Sequence, residues 1–410
     1  MKTSHGARWP PDAFRNGPFR GLITAQAFSV VGDGIAPIAI AFGILHETKS
    51  AAALGIVMAC GALPQSLFGL LSAPIGDRLN RVWVMACADF ARVTSQTLIG
   101  LLFLKMHSGL LPYAVLSAIY GMSSAIFSPT STVVVASLVE VELLQSANGI
   151  RGSLESAGSF IGPAIGGLIV GILGPAAGMF IDALSFAISG AILSFVALNH
   201  GIISKFDREN LVADLRKSFR YCVRERWPIL GVIHSGLVNV FLLAPFVVLG
   251  PSLFFAKGWG ARNWGLVIAA SGGGGLLGSI YMTRAKIRRP LLAFVIGMAM
   301  PGVALISFEA AGPLWTMVLG GLLAGCGMAI AAVSWETTLQ SVVPKRHLAG
   351  VTGFDYAVGA AFFPLGLAIV GAASTRYGRD AVLLICASYA VVSTAFMWVQ
   401  PSIRRISYEE

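Results

Sequence analysis

Apolar residues in this chain form twelve long runs, separated by short segments that carry charges, Gly or Pro. The runs lack the period-two alternation of a membrane strand, and a helix satisfies its backbone hydrogen bonds within its own segment. A helix crosses a bilayer with about 20 apolar residues. The pattern therefore predicts twelve transmembrane helices, at residues 19–45, 51–76, 82–105, 110–139, 149–172, 176–198, 228–256, 264–283, 290–309, 314–343, 349–374 and 380–400.

One polar stretch interrupts this pattern between the sixth and seventh runs, at residues 199–227. Its apolar residues recur at spacings of three and four, which predicts a helix lying along the membrane surface. These apolar residues are Leu211, Leu215, Phe219 and Cys222. The predicted organisation is a six-helix lobe at 1–198, a partly helical cytoplasmic linker at 199–227 and a second six-helix lobe at 228–410.

The two halves resemble each other at equivalent predicted helices. Gly162-Pro163 in the fifth run corresponds to Phe363-Pro364 in the eleventh, after a shift of a few residues. A parallel repeat of six helices is typical of two-lobed transporters. We therefore predict an all-α integral membrane protein with two pseudo-symmetric lobes.

The composition supports a membrane protein. Among 410 residues, 56% are hydrophobic and 12% are charged, whereas a soluble domain has about 25% charged residues. This excludes a soluble enzyme with a polar shell, a coiled coil, a collagen and a disordered chain. The five cysteines form no CxxC pair, so we expect free thiols. We interpret the net charge of +10 as membrane-side basic residues and expect no nucleic-acid partner.

The distribution of basic residues predicts the orientation. If both termini lie in the cytoplasm, 22 of the 29 Lys and Arg residues fall on the cytoplasmic side, as the positive-inside rule requires. The first 20 residues lack the apolar region and cleavage site of a signal peptide. We expect a multi-pass protein of the inner (plasma) membrane.

The loop after the second run contains Gly76, Asp77, Arg78 and Arg81. This pattern resembles the cytoplasmic loop signature of the major facilitator superfamily, with Ala73 and Asn80 at two positions where glycine is usual. The resemblance implies a role in conformational change. Asp77 could face the positive amino end of another helix, and Arg78 and Arg81 would hold the loop at the anionic leaflet. The alternative is an ordinary basic loop.

The fifth run contains Gly158, Gly162, Pro163, Gly166 and Gly167. This set resembles the antiporter signature of the same superfamily and implies export. Small residues four apart form a flat stripe for close helix contact, and a proline bends the helix. We place Gly162 at the contact between the two lobes. A generic packing stripe is the alternative.

Finer motifs resemble the enterobactin-exporter and macrolide-efflux branch of the superfamily. They include Asp89-Phe-Ala-Arg92 in the third run and Asp182-Ala-Leu-Ser185-Phe186 in the sixth. The resemblance extends over nearly the whole chain and implies secondary transport of a drug or siderophore-like metabolite, without identifying the cargo.

Polar residues inside the membrane are costly and are therefore functional candidates. Burial disfavours the charged form of a lone carboxyl such as Asp33, which would let it bind and release a proton. Glu155 and Asp355 are further proton-coupling candidates, and either could instead gate the cytoplasmic side by pairing with a nearby basic residue. Asp89 and Arg92, three residues apart, can neutralise each other. Candidates for the cargo cavity are Gln26, Asp33, His234 and Asn239.

Catalytic and cofactor motifs are missing from the sequence. Gly273-Gly-Gly275-Leu-Leu-Gly278 fits GxGxxG, yet no strand precedes it, so close helix packing is the better interpretation. We find no Walker A, HExxH or paired-cysteine pattern and expect no enzyme activity, catalytic residue, metal or cofactor.

These observations predict a monomeric secondary carrier that exports an amphiphilic small molecule by proton antiport, through alternating access of its two lobes. Its partners would be the cargo, protons and the bilayer. The alternatives are an uptake or lipid-translocating carrier and a membrane receptor that binds without transport.

Overall fold

The computed structural model describes residues 16–71, 80–105, 109–140, 143–199, 220–285, 287–310 and 312–406. Within these ranges the regular structure is helical, with no strand. Its twelve long helices are α1 Gly17–Thr48, α2 Ala51–Leu71, α3 Arg81–Lys105, α4 Leu110–Leu138, α5 Leu144–Leu173, α6 Pro175–Asn199, α7 Trp227–Ala256, α8 Gly260–Arg284, α9 Pro290–Glu309, α10 Leu314–Val342, α11 Lys345–Tyr377 and α12 Arg379–Val399. The all-helical membrane fold predicted from the sequence is confirmed.

Length and hydropathy make ten of the described helices able to cross a membrane, and α2 adds a shorter apolar segment, Ala51–Leu67. Helix α3 falls outside this group. It carries Asp89, Arg92, Ser95 and Gln96, and all four side chains are buried in the bundle. The mean hydropathy of such a helix therefore understates its ability to cross a membrane, because its polar face is turned towards other helices.

Three helices begin four or more residues before the apolar runs that predicted them. Helix α5 begins at Leu144 rather than at 149, α8 begins at Gly260 rather than at 264, and α11 begins at Lys345 rather than at 349. The early residues of α5 include Gln145, Ser146 and Asn148, which extend the helix beyond its apolar part. Hydropathy marks the section of a helix that fits in lipid, whereas backbone hydrogen bonding sets the length of the helix.

Helix α7 contains a wide turn that the sequence pattern does not predict. Residues Asn239–Leu243 are in π conformation, and the backbone N–H of Ala244 donates to the carbonyl of Asn239. The next residue, Pro245, has no N–H to donate to a preceding carbonyl. A proline disturbs the bonding of the turn before it, and a π turn accommodates such a disturbance.

The predicted linker is described only in its last turn, residues 220–225, which is helical. Residues 200–219, with most of the predicted surface helix, lie outside the described residues. The ring of Tyr221 stacks on His347 at 4.9 Å between centroids, and Cys222 is fully buried. Burial raises the pKa of the Cys222 thiol to about 11. This turn is therefore anchored on the first turn of α11.

Helix packing links the first six helices to the last six mainly through two pairs, α2 with α11 and α5 with α8. Within the first six, α1 packs against α5 and α6, and α3 packs against α4 and α6. In the last six, α10 packs against α8 and α9. The division into lobes at 1–198 and 228–410 stays a prediction.

Close contacts between the two halves extend from one end of the bundle to the middle of α5 and α8. We call this end the far side; it holds the connections at residues 49–50, 174 and 257–259. The opposite end, the terminal side, holds residues 16 and 406. On the far side, a Cβ placed on Gly371 would lie 2.9 Å from the Cα of Ala52. On the terminal side, a Cβ on Gly149 or Gly152 of α5 would meet nothing within 4 Å. The halves are thus in close contact on the far side, whereas α5 has open space beside Gly149 and Gly152 on the terminal side.

Candidate functional site

A polar cavity of about 340 Å³ lies among α1, α4 and α5, with one lining residue each from α2 and α3. Its volume is at the lower end of the range for small-molecule sites. Polar side chains dominate its lining, which is unusual inside an apolar bundle. The lining residues are Gln26, Ser29, Val30, Asp33, Gln65, Arg92, Tyr120, Ser124, Phe127, Ser128, Ser131, Arg151, Leu154 and Glu155.

Asp33 lies in this cavity near the middle of α1. The hydroxyl of Tyr120, on α4, donates a hydrogen bond to Asp33 Oδ1 at 2.8 Å. The Tyr120 ring lies 6.1 Å from the ring of Phe186, which holds it in place from α6. Among the described residues, Asp33 has no basic side chain at salt-bridge distance. Its carboxyl therefore has one neutral donor, and it borders the cavity through which water and ions can reach it.

Asp89 and Arg92 form an ion pair on α3, with 3.2 Å between Asp89 Oδ1 and Arg92 Nη2. The hydroxyl of Ser189 donates to the other oxygen of Asp89 at 2.6 Å. The Arg92 guanidinium lies 4.2 Å from the ring centre of Phe127 and 4.7 Å from that of Phe186. A desolvated cation–π contact on two rings adds to the ion pair. Arg92 is thus fixed in orientation at the cavity wall.

A third buried carboxyl, Asp182 on α6, was not among the site residues that we predicted. The side-chain amide of Gln96 donates to Asp182 Oδ2 at 2.5 Å, and Asp182 is fully buried. A Cβ placed on Gly32 would collide with Asp182 and Ser185, so α1 and α6 meet closely here. The cost of a carboxyl in the membrane could have identified Asp182 from sequence. Its partner Gln96 lies on another helix, which spacing along the chain does not reveal.

Hydroxyl groups line one wall of the cavity along α4. Ser124, Ser128 and Ser131 are spaced four and three residues apart, so they share one face of the helix. The side-chain amide of Gln26 on α1 donates to Ser131 Oγ at 2.6 Å. Gln26 Oε1 is buried and has no hydrogen-bond partner among the described residues. The serine spacing was visible in the sequence, and we did not use it.

Glu155 and Arg151 form the rim of the cavity, towards the terminal side. Arg151 Nε lies 3.3 Å from Glu155 Oε1, and Arg151 Nη1 donates to Thr132 Oγ1 at 3.1 Å. The Glu155 side chain is 58% exposed. Through Thr132, this pair joins α4 to α5 towards the terminal side of the bundle.

Asp355 lies on α11, apart from this cavity. The indole Nε1 of Trp335 donates to Asp355 Oδ2 at 2.9 Å. The side chains of Lys345 and Arg346, the basic residues of the first turn of α11, lie outside the described residues, so pairing of Asp355 with either stays a prediction.

The cavity brings together Gln26 and Asp33, and it excludes the other two predicted cargo residues. His234 is 4% exposed, and its ring meets the edge of Phe294 at 5.9 Å, within the α7–α9 contact. Asn239 begins the π turn of α7, with its amide facing Gly359 of α11. Neither His234 nor Asn239 lines this cavity, so a role for them in cargo binding stays a prediction. Hydropathy locates a polar residue in the membrane without showing which way it points.

The glycine stripe of α5 faces two different helices. A Cβ on Gly162 would lie 2.8 Å from the Cα of Gly34, and one on Gly166 would lie 2.9 Å from the Cα of Ile35, both on α1. Gly158 likewise packs against Val30 of α1. Placing Gly162 at the contact between the halves was therefore wrong, because α1 and α5 belong to the same half.

Gly167 makes the contact with the other half. A Cβ on Gly167 would lie 2.9 Å from the Cα of Gly265 on α8. Pro163 cannot donate a hydrogen bond to the carbonyl of Ser159, four residues earlier. Gly272 of α8 packs against that carbonyl, since a Cβ there would lie 2.7 Å from the Ser159 oxygen.

The loop signature is only partly described. Gly76, Asp77 and Arg78 lie outside the described residues. Arg81 begins α3 and is 4% exposed, so it is buried in the protein, which contradicts our placing of it at the anionic leaflet. The side-chain amide of Asn80 donates to the carbonyl of Ala197 at 3.2 Å, which fixes the end of the loop on α6.

All five cysteines are free thiols. In the described part of the chain, no group of three or more His, Cys, Asp and Glu residues could hold a metal ion.

Comparison with known proteins identifies the fold family. A sequence profile described as the Major Facilitator Superfamily matches residues 22–367. The multidrug efflux pump Tap of Mycolicibacterium fortuitum is 25% identical over 392 residues, which cover 90% of this chain and 92% of that protein. Macrolide efflux protein A of Streptococcus pyogenes is 23% identical over 235 residues, 57% of this chain and 58% of that protein. The solved nucleoside transporter NupG superposes with a TM-score of 0.70 at 15% identity, covering 93% of this chain and 98% of that structure.

Proposed function

This chain belongs to the Major Facilitator Superfamily, and we propose that it exports an amphiphilic small molecule, a drug or siderophore-like metabolite, in exchange for protons. Membership makes it a membrane transporter and not an enzyme. The names of the two efflux relatives support export. Proton exchange is the further step that we argue from the cavity.

The observation that carries the proposal is the position of Asp33. It is a carboxyl in the middle of the bundle, hydrogen-bonded by Tyr120 and bordering the cavity. A proton carrier needs a group that exchanges its proton with water in one conformation and is sealed from that water in the other. Asp33 suits this role because it borders the cavity on one side, while close contacts between the halves, such as Gly167 with Gly265, would separate it from the far side.

Arg92 supports the same role. It borders the cavity beside Asp33, and it is held by Asp89 and by two aromatic rings. An ionised Asp33 is therefore attracted to a fixed positive charge, and a protonated Asp33 is released from that attraction. Protonation of Asp33 thus removes an attraction between α1 and α3, while Arg92 stays in place.

Cargo would bind in the same cavity. The serine face of α4 and the amide of Gln26 offer hydrogen bonds, while Val30, Phe127 and Leu154 offer apolar contact. This mixture suits a molecule with both polar and apolar faces. Cargo with a positive charge would compete with the proton for Asp33, which couples the two fluxes.

Alternating access would come from movement of the two predicted lobes about this cavity. In the present state, contacts such as Gly167 with Gly265 hold the far side closed. With both termini in the cytoplasm, the open terminal side would admit cargo from inside the cell. The protein would act as a monomer in the inner membrane.

The proposal is tested with purified protein in proteoliposomes that carry a pH gradient. The cargo probes are a macrolide, a catecholate siderophore and a lysophospholipid, and a pH-sensitive dye inside the vesicles records proton movement. We expect at least one probe and protons to move in opposite directions. Asp33→Asn should still bind the probe but transport no faster than protein-free vesicles, whereas Asp380→Asn, at an exposed far-side position, should behave as wild type.

Other outcomes identify the alternatives. Cargo and protons moving in the same direction would indicate uptake, and a probe that raises the melting temperature without any flux would indicate a receptor. Full gradient-driven transport by Asp33→Asn would overturn the coupling role of Asp33, and Glu155→Gln and Asp355→Asn would then be compared.

A further inference from the structure

A groove of about 530 Å³ runs along the outer surface of α8, α9 and α10, near the terminal side. Its inner part is apolar and includes Leu292, Ala293 and Ile296 of α9. Its outer part carries Arg288 and Arg289, in the connection before α9, together with the phenol ring of Tyr281 on α8. Both arginines and Tyr281 are exposed. The groove thus has an apolar floor and a cationic end.

Two other grooves on the outer surface lack a cationic end. One of about 380 Å³ lies between α1 and α6, and one of about 480 Å³ lies between α9 and α12. Their lining residues include neither Lys nor Arg. Any lipid tail can occupy such a groove. Only the α8–α10 groove, among these three, combines a place for a tail with a place for an anion.

The basic cluster lies at the depth of a lipid headgroup. Arg284 ends α8, and Arg288 and Arg289 precede Pro290, the first residue of α9. Two apolar helices thus end beside these arginines, and the connection between them lies at the membrane surface. A basic pocket between helix ends at this level matches the charge of an anionic headgroup.

We propose that the α8–α10 groove binds one anionic phospholipid, with its phosphate on Arg288 and Arg289 and an acyl chain along Leu292, Ala293 and Ile296. A guanidinium binds phosphate through two parallel hydrogen bonds. Tyr281 places a ring with a polar hydroxyl at the interface, where such rings are favoured. The site does not depend on export, because it shares no lining residue with the cavity of Asp33.

The apolar floor selects a lipid over a free phosphate ion. Exposed arginines alone hold inorganic phosphate weakly in water, since both ions are well solvated and salt screens their attraction. A lipid adds the burial of its tail and is already confined to the membrane. Anionic lipid should therefore bind where free phosphate at the same concentration does not.

The test uses the full chain in mixed micelles of a mild detergent and phosphatidylcholine, into which phosphatidylglycerol is titrated. Native mass spectrometry counts retained phosphatidylglycerol molecules at each concentration. Each arginine near an anionic surface contributes about 1 kcal/mol, so R288Q/R289Q should bind about 30-fold more weakly than wild type. R404Q/R405Q, which removes two exposed arginines of the same side, is the matched control and should bind as wild type.

A second pair of variants tests the apolar floor of the α8–α10 groove. Ala293→Trp fills the α8–α10 groove and should also weaken retention, whereas Ala395→Trp fills the α9–α12 groove and should leave retention unchanged. Glycerophosphate added as a competitor should leave retention unchanged. Equal losses in R288Q/R289Q and R404Q/R405Q would overturn the proposal and show a general attraction of basic residues. Unchanged retention in R288Q/R289Q would overturn it as well, whatever the tryptophan variants do.

Discussion

Gly167 and Gly265 bring α5 and α8 together so closely that a Cβ on either residue would lie less than 3 Å from the Cα of the other. This pair joins the two halves of the chain on the far side. Gly162, one turn earlier on α5, makes an equally close contact with Gly34 of α1. The same helix thus uses one glycine to hold its own half together and another to close the bundle.

We predict different effects for leucine at these two positions. Gly162→Leu overpacks the α1–α5 contact and should lower the free energy of unfolding by about 1–3 kcal/mol. Gly167→Leu should abolish transport with a smaller loss of thermal stability, because the contact that it breaks must open during alternating access. Thermal unfolding and proteoliposome flux measure both. Gly152→Leu is the control, because the space beside Gly152 is open. Wild-type stability and flux in Gly162→Leu would contradict the close α1–α5 contact at Gly162.

The buried ion pair predicts a large loss when one partner is removed. Arg92→Met leaves Asp89 buried without its cation and should cost about 3–5 kcal/mol of unfolding free energy. Combining it with Asp89→Asn should recover part of that loss, since the uncompensated charge is then gone. The exposed pair of Arg379 and Asp380 is the control, and Arg379→Gln should cost less than about 1 kcal/mol. Equal losses at the two pairs would show that burial does not decide their strength.

The orientation of the chain gives a labelling prediction. With the termini inside, an impermeant maleimide on intact cells should label Thr48→Cys and miss Val223→Cys, and Val223→Cys should react after permeabilisation. Cys222 is unsuitable as the inside probe, because it is fully buried, whereas Val223 is 47% exposed. Labelling of Val223→Cys from outside, with Thr48→Cys silent, would invert the topology.

Burial of Cys222 also predicts an alkaline effect. The pKa of this thiol is about 11 in the folded protein against a reference value of 9.0, so the folded state favours the neutral thiol. The contribution of this buried neutral thiol to the free energy of unfolding should be complete below about pH 9 and should be lost as the pH rises towards 11. Cys222→Ala should therefore melt with a weaker dependence on pH over this interval than wild type, in thermal scans from pH 8 to pH 11. Parallel curves for the two proteins would contradict this linkage.

Hydropathy was enough to predict the fold, because lipid leaves the backbone few ways to satisfy its hydrogen bonds. It also located Asp33 as a costly carboxyl. It could not reveal Tyr120, which is 87 positions away on α4, since helical periodicity relates only residues of the same helix. The same limit explains the error at Gly162. The residue was correctly placed within its helix, but the neighbouring helix that it faces depends on packing between distant segments.

The π turn of α7 adds one residue to a helical turn, as the bond from Ala244 to Asn239 shows. One residue corresponds to about 100° of rotation about the helix axis. Every side chain after the turn is therefore rotated by that angle relative to an uninterrupted α-helix, and it is in this rotated phase that Val248, Leu249 and Leu253 are buried. Deleting a single codon between 240 and 243 would return the helix to its ordinary phase and change the neighbours that each of these three side chains packs against. One inserted amino acid thus sets the direction in which the side chains of the second half of α7 point around the helix axis.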